Sequence, residues 1–367
     1  MKIDHVHFYV EDAKVWRDWF VHHLGFQAVA SRISSFHTCT EMVNSGAVNF
    51  LLSSPLLPTS PVAEFLRQYP PGVADVAFAL EDVEGAIALA QKYDATILQP
   101  IQEHQVGTAF LKCGKIAAWG GLTHTLIEKH CGEMAESLWQ SEEICDNFPS
   151  ASPISPSSSI TAIDHIVLNV AVGELDRAVA WYENILDFQP QQTFKIKTDR
   201  SALHSQVMVS RNGSVQLPIN EPATRNSQIQ EFLDVNRGSG IQHIALRTTN
   251  LVNAIAKFRA SGLSLLSVPQ SYYSQLKQRP GLPLSPLELE AIAQQEILVD
   301  WQEYTPLEGG NIAPLLLQIF TQPIFEQPTF FFEFIERRYQ AQGFGEGNFR
   351  ALFEAIESEQ IKRGTLQ

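Results

Sequence analysis

IDHVHFYV (3–10) and IDHIVLNV (163–170) decide the fold, because the chain opens two long segments with nearly the same words, 160 residues apart. Both runs are rich in β-branched and aromatic residues and alternate like strands. Each leads into a helical pattern that ends on a similar step, VWRDWFVHHLGF (15–26) in one and RAVAWYENILDF (177–188) in the other. A second pairing sets GVADVAFALEDVEGAIALA (72–90) beside GIQHIALRTTNLVNAIAKF (240–258) at an offset of 168, and a third sets HTLIEK (124–129) beside FEFIER (332–337) at 208. The growing offset places insertions between matched strands of the second copy, and a duplicated domain is the economical explanation.

Between the copies runs DNFPSASPISPSSS (146–159), rich in Ser and Pro, which reads as a linker. The expected organisation is a first domain over 1–145, a linker over 146–160 and a second domain over 161–367. Further alternating runs at 205–210, 214–219, 240–247 and 314–320 suit strands, and helical spacing begins near Asp12, Glu174 and Leu251. Each copy is therefore expected to be α+β and built from βαβββ repeats. Pairs of such units curl a mixed, largely antiparallel sheet around a cavity, with helices outside.

Composition narrows the function classes. The 367 residues are 44% apolar and 18% charged, which suits a folded protein of two ordinary domains. Lys and Arg number 26 against 40 Asp and Glu, a net charge of −14 with no basic cluster, so nucleic acid and anionic membranes are poor partners. No apolar run reaches the roughly 18 residues of a spanning helix. Cys39, Cys113, Cys131 and Cys145 lack CxxC spacing, which argues against a zinc knuckle or disulfide framework and leads us to expect a reducing cytoplasm. No Gly-x-Ser-x-Gly elbow, Walker loop or HExxH string occurs, and GFGEGN (343–348) lacks the strand-loop-helix setting of a nucleotide loop.

Three polar residues stand out on apolar strands. Ideal alternation puts His165 on one face with Ile163 and Val167, His243 with Ile241 and Ala245, and Glu333 with Phe331 and Ile335, and it turns Gln242 away from His243. A lone strand histidine is usually a hydrogen-bonded core residue, and Glu333 alone could be the outward end of an edge strand. Together, two histidines and a carboxylate form the set that binds non-haem Fe(II) and leaves positions open. The first-copy counterparts, His5, Asp75 and Thr125, form a broken set, so one copy is expected to hold a metal and the other not.

IDHIVLNV, LPINEP (217–222), SQIQEFL (227–233), GIQHIAL (240–246), LLLQIF (315–320), TFFFEFIERR (329–338) and GFGEGNFRALFEAIE (343–357) occur in an order that resembles the 4-hydroxyphenylpyruvate dioxygenases, two-domain members of the vicinal oxygen chelate superfamily. The resemblance runs through nearly the whole chain and is most specific from residue 160 onward. It implies tandem vicinal-oxygen-chelate domains and one Fe(II) per chain held by His165, His243 and Glu333. It also implies O2 as co-substrate and an aromatic α-keto acid whose oxidative decarboxylation, ring hydroxylation and side-chain migration give homogentisate and CO2. Gln242, Gln318, Asn220 and Ser205 match catalytic positions, and Gln228, Phe320, Phe331, Phe344, Asn348 and Phe349 match substrate-binding ones. Asn220, before Glu221-Pro222, equally suits a turn, and each phenylalanine equally suits the core.

Gly343, Gly345 and Gly347 precede a terminal helix with Asn348 as candidate N-cap and Gly364 as stop; it suits a packed terminal helix or a lid, and the resemblance favours the lid. It further implies a homodimer or homotetramer. Two rivals remain. One is benzylic hydroxylation of the same substrate, as in hydroxymandelate synthase, and the other is an idle binding protein that keeps the three residues as packing.

Overall fold

The computed structural model describes residues 1–29, 35–106, 109–130, 158–198, 201–301 and 313–364. The linker reading, up to residue 157, lies outside the described residues. The first copy runs β1 (Lys2–Tyr9), α1 (Ala13–Leu24), β2 (Gln27–Val29), β3 (Thr38–Ser45), β4 (Val48–Pro55), α2 (Pro61–Gln68), β5 (Gly72–Ala79), α3 (Val83–Lys92), β6 (Ile97–Val106), β7 (Ala109–Ala117) and β8 (Thr123–His130). The second runs β9 (Ile160–Asn169), α4 (Leu175–Leu186), β10 (Phe188–Lys197), β11 (Ala202–Ser210), β12 (Gln216–Pro222), α5 (Gln228–Asn236), β13 (Gly240–Thr248) and α6 (Leu251–Ala260). It continues with α7 (Gln270–Leu276), α8 (Pro286–Gln294), β14 (Leu298–Trp301), β15 (Leu315–Phe320), β16 (Phe331–Arg338) and α9 (Glu346–Arg363).

Two eight-stranded mixed sheets result, ordered β2-β3-β4-β1-β5-β8-β7-β6 and β10-β11-β12-β9-β13-β16-β15-β14. Strand for strand the orders coincide, so the repeat seen in the sequence is a repeat of topology. Each sheet consists of two βαβββ units joined through an antiparallel central pair, β1 with β5 and β9 with β13. The Leu-Gly-Phe and Leu-Asp-Phe steps also have one physical cause. Both helices end on a left-handed residue, Gly25 at φ 69° and Asp187 at φ 56°. The late insertion is α7 and α8, which lie between α6 and β14 where the first copy passes from α3 to β6 in a short turn.

The sheet faces turned away from the cavities share one apolar core that includes Val6, Phe8 and Phe50 from the first copy and Ile166, Ile244 and Phe332 from the second. Phe332 meets Phe8, Phe20, Phe50 and Phe330 at ring-centroid distances of 6.5, 5.8, 5.9 and 5.0 Å. His124 is a satisfied core residue: Nδ1 meets Val76 O at 2.9 Å and Nε2 the Tyr182 hydroxyl at 3.0 Å. Phe332→Ala, which removes a ring shared by both copies, should lower the unfolding free energy by about 3 to 5 kcal/mol in urea titrations.

Candidate metal centre

Register brings the three residues together. On β13, Ala245 pairs His165 of β9 on one side and Glu333 of β16 on the other, while His243, two residues earlier, pairs Val167 and Phe331. His165 and Glu333 thus lie about 10 Å apart across one intervening strand and reach toward each other over it. The residue between them is fully buried and carries one methyl group. His165 Nε2 comes to 3.2 Å and His243 Nε2 to 3.7 Å from Glu333 Oε2, and one ligand atom from each residue lies within 4.8 Å of the others.

Two β-bulges aim the site and correct ideal alternation. The β9–β13 register shifts between Ile241 and His243, so Gln242 is the extra residue. Gln242 and His243 therefore both line the cavity, and Ile241 joins the core between the copies. A second shift, where Ala245-Leu246 faces His165 and Ile163, makes Asp164 the extra residue and removes Ile163 from the face of His165. That bulge lets the Asp164 carboxylate accept from its own neighbour, with Oδ1 3.0 Å from His165 Nδ1. Both bulges recur at the same places in the first copy, around Ala74 and Asp4.

Electrostatics follow from burial. Glu333 is 2% exposed and lies beside the His165 and His243 rings. Burial would lower the His165 pKa, but the Glu333 and Asp164 carboxylates outweigh it and push it up to about 9. His243 goes the other way, driven well down by burial and by the neighbouring His165. The Arg337 guanidinium and His165 overcome burial to hold Asp164 well below the usual carboxylate range. Arg337 donates to both carboxylate oxygens, Nη2 to Oδ1 at 2.7 Å and Nε to Oδ2 at 2.8 Å, and Arg247 Nη2 donates to Oδ2 at 2.7 Å. A buried acceptor-only group ringed by imidazole nitrogens, with one ring braced by a carboxylate, suits a divalent cation. The buried, unpartnered Nδ1 of His243 leaves that ring held by its stack on Phe331, with centroids 4.7 Å apart and planes at 17°.

The three residues sit on the wall of a cavity of about 90 Å³. Ser205, Asn220, Gln228, Gln242, Gln318, Phe320, Phe331, Phe344 and Asn348 line it, so the structure gathers these sequence-singled residues in one place. The side chain of Phe349 lies outside the described residues. Asn220 belongs to β12 and not to a turn, and its Nδ2 donates to Asn169 Oδ1 at 3.3 Å. Gln228 Oε1 is buried without a partner. Asn348 does not cap α9. Gly345, at φ 76°, is the N-cap, and the Asn348 amide turns inward to donate to Gln318 Oε1 at 2.9 Å. Gly364, at φ 76°, ends the helix as expected.

Sequence reasoning passed over Asp164, Ala245, Phe194 and Leu203, which support or line the site. Asp164 did carry a signal, since the Asp-His pair occurs at the head of both copies.

The model of the Glyoxalase/Bleomycin resistance protein/Dioxygenase superfamily matches residues 162–279. The 4-hydroxyphenylpyruvate dioxygenase of Coccidioides posadasii is 36% identical over 99% of this chain and 94% of its own length, and that of Caenorhabditis briggsae 37% over 99% and 93%. The chain belongs to the 4-hydroxyphenylpyruvate dioxygenase family. A 4-hydroxymandelate synthase variant from Streptomyces coelicolor has the same fold, with TM-score 0.81 at 24% identity over 98% of both chains. The family's tandem domains are the two sheets described above.

Two substitutions probe the geometry without touching a candidate ligand. Ala245→Val fills the gap over which His165 and Glu333 meet and should abolish Co(II) binding in equilibrium dialysis at a stability cost of about 1 to 3 kcal/mol. Asp164→Asn should weaken Co(II) binding by about 10- to 100-fold in the same measurement.

Proposed function

We propose that this chain is a 4-hydroxyphenylpyruvate dioxygenase: it decarboxylates the keto acid oxidatively, hydroxylates the ring and moves the shortened side chain, giving homogentisate and CO2. The observation that carries the reading is the convergence of His165, His243 and Glu333 on the wall of an aromatic-lined cavity in a chain of this family. Ferrous iron, when bound by these three, supplies the redox chemistry of oxygen activation and the positive charge that holds an α-keto acid.

The protein's own groups bind, orient and exclude water. Phe331 and Phe344 flank the ligand set, Phe331 stacked on His243 and Phe344 edge-on to His165 at 5.1 Å, and they leave an apolar slot for an aromatic ring. Gln228, with its unpartnered Oε1, and Gln242 offer amides to polar ends of the substrate, and Asn220 and Ser205 line the opposite strands. Gln318 donates to Glu333 Oε1 at 2.9 Å and holds the carboxylate in one orientation. α9 covers the cavity through Phe353 and Ile356, which keeps water from the reacting ring.

The first copy, in this reading, holds no metal. Of its counterparts His5, Asp75 and Thr125, Asp75 pairs with a different cation, the Lys115 ammonium, 3.3 Å from its Oδ2. Thr125 donates to the same oxygen at 3.0 Å. The shared fold of the hydroxymandelate synthase variant makes benzylic hydroxylation the alternative product, decided by identifying the aromatic acid formed.

Oxygen uptake with 4-hydroxyphenylpyruvate tests the proposal. Fe(II)-loaded protein should consume oxygen and form homogentisate, and metal-free protein should not. Glu333→Ala should retain its fold and lose iron and turnover. Thr125→Ala, which removes one hydrogen bond in the first copy, should cost about 1 kcal/mol of stability and leave the rate unchanged. A wild-type rate in the Glu333 variant would end the metal hypothesis.

A further inference from the structure

Glu333 Oε1 accepts a hydrogen bond from an amide nitrogen, and that one contact sets the polarity of a chain of side chains leading away from it. Gln318 must turn Nε2 toward Glu333 Oε1, at 2.9 Å, and the same nitrogen donates to Phe344 O at 3.0 Å. Gln318 Oε1 then faces Asn348 and accepts from its Nδ2 at 2.9 Å. Asn348 Oδ1 is thereby turned outward and needs a donor. The Tyr272 hydroxyl lies 3.0 Å from it and 3.0 Å from Val299 O, so its one proton is shared between these two acceptors, and the hydroxyl is itself anchored by the Val299 N–H, which donates to it at 2.8 Å. Tyr272 stands on α7, one of the two helices that the first copy lacks.

We propose that Tyr272 is a positioning residue: by donating to Asn348 it fixes the Gln318 amide against Glu333 and holds the first turn of α9 over the cavity. Three observations support this reading. A Cβ at Gly345 would lie 1.9 Å from Gln318 Oε1, so the backbone of the helix cap is shaped around this amide. The neighbouring Asp300 accepts from the Gly347 N–H at 3.1 Å, so β14 holds the same turn by a parallel tie. Burial pushes the Tyr272 pKa up to about 12, which keeps the hydroxyl a donor throughout the neutral range. The catalytic meaning rests on the proposed function, whereas the relay itself depends only on the folded chain.

Tyr272→Phe keeps the ring and removes the donor. Hydrogen exchange of the metal-free protein should then rise roughly tenfold at the Gly347 and Asn348 amides while β16 keeps its protection. In the iron-loaded enzyme KM should rise by roughly the same factor, with kcat nearly unchanged, because the cavity is closed less of the time. Unchanged exchange in the first turn of α9 would overturn the proposal, as would a rise of equal size throughout β14–β16, since that marks lost packing. A variant with the local exchange change in a protein that never consumes oxygen would support the relay and sink the proposed function, so the two can fail separately.

Discussion

A carboxylate on the middle of a strand that is buried on both faces is the constraint on which the second copy is built. β16 carries Phe332 and Phe334 into the shared core and Phe331 toward the cavity, and Glu333 between them is buried. A buried ionised carboxylate costs several kcal/mol unless charges and donors meet it. Two imidazole nitrogens and one amide converge on Glu333. The central β13 must therefore run antiparallel to β9 and parallel to β16, in the one register that sets a small residue between them. A slip of one residue would turn the ligands out of the cavity and bury Leu246 or Ile244 in their place.

The surroundings of Asp164 extend the same problem one layer outward. This carboxylate braces His165, and Arg247 and Arg337 neutralise it. Arg337 also donates through Nη1 to Ala341 O at 3.2 Å and Gly343 O at 2.8 Å, at the turn that leads into α9. The guanidinium that balances the histidine's partner thus also ties down the approach to the helix over the cavity. On the other side the Glu357 carboxylate of α9 accepts from the Thr198 and Ser201 hydroxyls, each at 2.6 Å. Helix and ligand set are parts of one polar network, joined around an apolar cavity.

The features legible in the sequence were those written in repetition and pattern. The two copies, several of their strands and helices, and the choice of His165, His243 and Glu333 as candidates follow from offsets and alternation, because strand parity is a local property. What alternation cannot carry is a bulge. Gln242 looked misdirected and Ile163 looked like a neighbour of His165 only because one extra residue in each strand is invisible until the pairing is known. Asn348 read as a cap because a polar residue near a helix start usually is one, yet its amide is claimed by Gln318 from a strand 30 residues earlier. Tyr272 and Ala245 carry no pattern at all. Their meaning is positional, one as the donor at the end of a chain of forced orientations and the other as the residue small enough to be reached across.

Comparison of the copies shows how one electrostatic problem receives two solutions. In the first sheet Lys115 pairs Thr125 across β7 and β8, and in the second Phe320 pairs Glu333 across β15 and β16, so Lys115 occupies the place of a cavity-lining ring. Burial disfavours the Lys115 ammonium, but the Asp75 carboxylate more than compensates and raises its pKa, so the charge stays. Thr123 and Thr125 both donate to the Asp75 carboxylate. A tethered cation of this kind belongs to the chain itself and needs no open coordination. Replacing the lysine position by phenylalanine and the threonine by glutamate removes the fixed charge and leaves an acceptor that only an exchangeable cation or a proton can satisfy. The same strand order thus carries an ion pair in one copy and the candidate metal site in the other, through changes at two facing positions, with Asp75 giving way to His243 on the strand beside them.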